Sequence, residues 1–104
     1  MSAAERYTTE RLNEDLKNGC PGDRNSAPYL LKLDTPERRL RAVQEAHTLS
    51  NLVGYRHSEA VYAAVTELQR NISNNKEDQP LYGEATARKY REAEEERKRL
   101  NFGY

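Results

Sequence analysis

Cys20, His47 and His57 are the residues of this chain that could serve as a nucleophile, a proton carrier or a soft metal ligand. A thiol and an imidazole can carry acyl transfer when a third group orients the ring. Cys20 stands in the run Cys20-Pro21-Gly22-Asp23, and His57 in a turn beside Arg56 and Glu59. Nothing in their spacing ties the two together, so the sequence assigns them structural places: His47 on a helix surface, His57 in a turn, Cys20 a free thiol in a loop. Zinc needs paired ligands at short spacing, and one cysteine with two histidines does not supply them. Glu77-Asp78 and Glu94-Glu95-Glu96 lack the alternating oxygens and glycine of a calcium loop. The glycines are scattered singly, so no phosphate cradle is present. The sequence therefore predicts a protein that is not an enzyme, with no catalytic, cofactor-binding or metal-binding residue and no cofactor.

Composition narrows the partners. Seventeen basic residues against seventeen acidic ones leave no net charge to draw the chain onto nucleic acid or an anionic membrane. No apolar run approaches the roughly 20 residues that span a bilayer, and the N-terminal residues lack the pattern of a secretory signal. A single cysteine cannot form an internal disulfide, so a soluble, cytoplasmic protein is expected. Asn71-Ile72-Ser73 matches a glycosylation acceptor, but without other signs of secretion it is set aside. The chain has 104 residues, of which 36% are apolar and 33% charged, enough for one thin core. With no tryptophan and one phenylalanine, that core must come from Leu, Val, Ala and Tyr.

The elements that could form it are helical. Ser2 and Glu5 have capping-box spacing and open a helix over residues 3–18, with Gly19 as a left-handed stop. Residues 19–25 read as a loop. The apolar run of residues 27–33 reads as an extended or short helical segment lying across the helices. Thr35-Pro36-Glu37 is a strong helix start: a cap, a proline where no N–H is needed, and an acid at the positive end of the dipole. That helix covers residues 35–53 with two stripes, Leu40/Val43/His47 and Ala42/Ala46/Leu49/Val53. After Gly54, residues 58–73 carry Val61, Val65, Leu68 and Ile72 on one face. These two helices form the expected antiparallel hairpin core. The fold expected is all-α, with a helical domain over residues 1–75, a linker over 76–83, and a charged C-terminal helix and tail over 84–104.

Residues 84–99 have little apolar content but carry Arg88–Glu92, Arg91–Glu95, Glu94–Lys98 and Glu95–Arg99 at helical spacing. Tyr90 is the one large apolar residue within that stretch, and Leu100, Phe102 and Tyr104 follow it. Large apolar groups at the end of a charged helix need a surface, either the hairpin onto which the tail folds back or another protein, and these four residues are the candidate partner-binding set. The function expected is a small helical interaction or assembly protein: an adaptor, an inhibitor, or a minor subunit bound to a larger protein or paired in a homo-oligomer. The alternative is a small DNA- or RNA-contacting regulator that uses the basic runs at Arg38-Arg39/Arg41, Arg88-Lys89/Arg91 and Arg97-Lys98-Arg99. Against it, residues 58–73 offer only Arg70 to a groove.

Overall fold

Hydroxyl groups fix the first two helix starts. In the computed structural model, which describes residues 2–101, Ser2 Oγ accepts from the Ala4 amide at 3.2 Å and opens a 3-10 turn, Ala3–Tyr7. Thr8 is extended, and its hydroxyl accepts from the Arg11 amide at 3.2 Å to start α1, Thr9–Asn18. The one helix expected over residues 3–18 is thus two pieces, because Thr8 caps afresh. Gly19 ends α1 with φ −74°, so it is not the left-handed stop expected. Glycine is required there for space: a Cβ would stand 2.6 Å from the Asp15 carbonyl oxygen.

The next helix corrects the loop expected over residues 19–25. α2, Pro21–Leu30, starts where turn chemistry had been read. Pro21 takes the first helical position, where its missing N–H costs nothing, and Asp23 lies in the first turn. Pro28 sits inside α2, and the helix stops two residues after it. Residues 27–33 therefore finish a helix and turn, bringing Ala27, Leu30 and Leu33 into the core.

α3, Pro36–Thr48, begins as its sequence predicts, with the Thr35 hydroxyl accepting from the Arg38 amide at 3.2 Å. It runs on into a π turn, Leu49–Val53, closed by Gly54 at φ 84°. That left-handed backbone is why glycine stands there. α4, His57–Ser73, follows and packs along α3. The protein is all-α: among the described residues no strand occurs, and none of the helices is long and apolar enough to cross a membrane.

One cluster of buried side chains joins these elements. Val61, Val65 and Leu68 are buried as the α4 stripe requires, with Ile72 packed at the edge. On α3 the Ala42/Ala46/Leu49 stripe is buried, whereas His47 is exposed. Ala42, Ala60 and Ala64 are fully covered, and their small side chains let α3 and α4 approach closely. Two charged residues on α3 are also buried, Arg39 and Glu45. Arg39 donates to the carbonyls of Leu33 at 2.9 Å and Tyr7 at 3.0 Å, and to Thr9 Oγ1 at 3.0 Å. It thereby ties the N-terminal turn and α1 to the start of α3.

Residues 76–81 are held on α3. Arg41 donates to the carbonyls of Glu77 at 2.6 Å and Gln79 at 2.9 Å, and Arg38 closes a two-bond pair with the Glu77 carboxylate. Leu81 then inserts into the core at 0% exposure. α5, Tyr82–Asn101, leaves from that point. Its 20 residues, about 30 Å of helix, extend the molecule to 59 Å against cross-sections of 32 and 29 Å.

Candidate docking helix and its mount

A helix start leaves backbone amides without partners, and burying them requires acceptors. At α5 those acceptors are carboxylates from two other helices. Glu45 of α3, 1% exposed, accepts from the Gly83 amide at 2.7 Å and the Glu84 amide at 3.0 Å. Glu67 of α4 accepts from the Tyr82 amide through both oxygens, at 3.0 and 3.1 Å. Glu84 turns back to accept from the Leu81 amide at 2.7 Å. Arg41 donates two hydrogen bonds to Glu84, at 2.8 and 3.0 Å, and among the described residues is the one base bonded to this group of acids. Gly83 fits because a Cβ there would meet the Glu45 carboxylate at 2.7 Å.

The electrostatics of the mount pull in two directions. Burial pushes the Glu45 carboxyl above the ordinary glutamate value, helped by the negative charges of Glu67 and Glu84 and opposed by the Gly83 and Glu84 amides. Its bond to Arg41 holds Glu84 below that value, and the bond to Arg38 does the same for Glu77. A depressed carboxylate stabilises the fold above its unfolded value, near 4.5, and that stability is lost as pH falls through the lower folded value. Glu45 has the opposite sign: its raised value makes protonation favour the fold as pH falls towards 4.5. Arg38 also holds Asp34 below its ordinary value, so the acid branch of a melting-temperature profile should belong to Glu84, Glu77 and Asp34. Glu84→Gln should flatten it below about pH 4.5. An unchanged acid branch in that variant would show that the Arg41 pair contributes nothing.

Beyond the mount, α5 stands in solvent along its described length. Every described residue from Arg88 to Asn101 is exposed, Tyr90 at 56% and Leu100 at 69%. Of the four helical charge pairs expected, Glu94–Lys98 approaches to 3.8 Å. The structure places Tyr90 and Leu100 on this free half, while Phe102 and Tyr104 lie outside the described residues. The basic run at the start of α3 is spent internally: Arg38 on Asp34 and Glu77, Arg39 in the core, Arg41 on the mount.

A second feature brings together two polar groups that lie 31 residues apart in the sequence. A cleft of about 100 Å³ is lined by Leu12, Ala27, Leu30 and Val61, with Ser26 and His57 on its wall. Ser26 Oγ lies 2.6 Å from His57 Nε2 and donates to the Gly22 carbonyl oxygen at 2.8 Å. A hydroxyl has one proton and a carbonyl only accepts. Both contacts are satisfied together only when His57 Nε2–H donates to Ser26. In that state the imidazole holds the serine rather than activating it, and no described residue bonds Nδ1 as an orienting acid would. His57 thus fastens the start of α4 to α2. Cys20 Sγ donates to Asp23 Oδ2 at 3.3 Å on the exposed surface and does not line the cleft. No three His, Cys, Asp or Glu side chains among the described residues are placed to hold a metal.

No protein family, curated protein or solved structure matches this chain.

Proposed function

We propose that the protein is a non-catalytic binding module whose working part is the free half of α5, docked by another protein surface. The observation that carries this reading is the contrast within α5. Its first turn is held by three carboxylates and the buried Leu81, while residues 88–101 stand in solvent with Tyr90 and Leu100 uncovered. A short isolated helix is marginal in water, so a mount of this kind presents a helix already ordered. A partner then meets less conformational entropy on binding. Tyr90 suits such a contact because its ring can be covered while its hydroxyl stays wet.

The test compares the full chain with a chain ending at Arg88, each immobilised and exposed to extract from the native source. The free half is exposed along its described length, so truncation should move the melting temperature by no more than about 2 °C. Retention of bound protein should fall at least tenfold, as expected when one buried anchor is lost. Equal retention by the two forms would overturn the reading. Retention of nucleic acid that weakens steeply with salt would replace it with contact through the basic runs of α5.

A further inference from the structure

We propose that a second copy of this chain covers the free face of α5, with the two helices running antiparallel. This rests on the docking-helix reading and names its partner. Tyr90, Ala93, Arg97 and Leu100 follow one another at steps of three and four, so they form one stripe along the helix. Gly83, Tyr90 and Arg97 are seven apart, which continues into solvent the side of α5 that is buried at Gly83. Ala93 at the middle of the stripe lets another backbone come close.

Charge chooses the partner. The free half reads Arg88, Lys89, Arg91, then Glu92, Glu94, Glu95, Glu96, then Arg97, Lys98, Arg99. Setting Tyr90 against Ala93 of an antiparallel copy brings the first basic block alongside the acidic block of that copy. The two-fold axis repeats the match, and Lys89 of each copy flanks Glu96 of the other. Parallel pairing would instead stack Arg97 on Arg97. It would also put both bodies at one end, although paired helices stand only about 8–10 Å apart and each body is roughly 30 Å across.

Apolar surface agrees with this arrangement. Tyr82, at the start of α5, and Leu52, on the π turn that packs against it, are exposed. Leu100 of an antiparallel copy arrives at that end. The pairing therefore gathers Leu52, Tyr82, Tyr90 and Leu100, four of the large apolar side chains the monomer leaves in solvent.

Sedimentation equilibrium on the full chain at low salt, to about 1 mM protein, tests the proposal. A monomer–dimer equilibrium is expected that weakens as salt is raised, since exposed pairs are screened. Lys89→Glu should weaken it roughly tenfold by reversing two symmetry-related contacts. Glu96→Lys should do the same, and the double variant K89E/E96K should restore it. Restoration by K89E/E94K instead would indicate parallel helices and overturn the proposal. So would a chain that stays monomeric throughout, or a dimer that survives removal of residues 89–104. A monomeric chain that still loses a different bound protein on that truncation would sink self-pairing alone and leave the docking helix standing.

Discussion

Leu68→Ala should lower the unfolding free energy by about 2–5 kcal/mol, enough to leave a protein of this size largely unfolded near 37 °C. Leu68 is at 0% exposure and sits with Val61 and Val65 on the face that α4 turns inward. Leu68 belongs to the buried core cluster, and a close-packed core relaxes only partly into the space a leucine vacates. A residue on the outer surface of the same helix is the needed control. Glu67 does not serve, because its carboxylate caps the Tyr82 amide and its loss would loosen α5. Arg70 is exposed and has no such partner among the described residues. Arg70→Gln should therefore change the unfolding free energy by less than about 0.5 kcal/mol. Denaturant titration checks both, and equal effects would mean that α4 is not packed through this stripe.

What the sequence disclosed and what it hid follow the range of the interactions. The α4 stripe and the Thr35-Pro36 start are local signals, and the structure contains both. α2 was hidden because Pro21 and Gly22 serve a turn and a helix start equally well. The apolar residues that decide between them, Ala27, Leu30 and Leu33, meet their partners only in the tertiary fold. Arg39 stands in a charged run and Glu45 follows Gln44, so both look solvated, yet each is buried by bonds to backbone from distant segments. No helical periodicity reports such bonds. Leu81 had a faint signal, a leucine between Pro80 and Tyr82 that follows a polar stretch, and it is fully buried. The mount was therefore illegible residue by residue, whereas the poverty of apolar groups beyond Glu84 did forecast the exposure of α5.

Glu45→Ala and Gly83→Ala should each destabilise the protein, and together they should not add. Glu45 holds two amides with a buried carboxylate, and bonds to a charged group contribute about 1.5–3 kcal/mol each. Part of that is offset by the cost of keeping the charge out of water, the same cost that pushes its carboxyl upward. A net loss of about 2–4 kcal/mol is expected on removing it. Gly83→Ala attacks the same contact from the other side. The new methyl would stand 2.7 and 2.9 Å from the two Glu45 oxygens, so the carboxylate must leave its place. Its surroundings are closed, with the residue only 1% exposed, and a loss of about 1–3 kcal/mol is expected. In the Glu45→Ala background the obstruction is gone. There Gly83→Ala should be neutral, or stabilise by up to about 1 kcal/mol, because alanine is the better helix former. The sign of the Gly83 substitution should thus depend on the residue at 45, which a double-mutant cycle in denaturant measures directly. Additive losses in that cycle would mean that Glu45 does not hold α5 through the Gly83 amide.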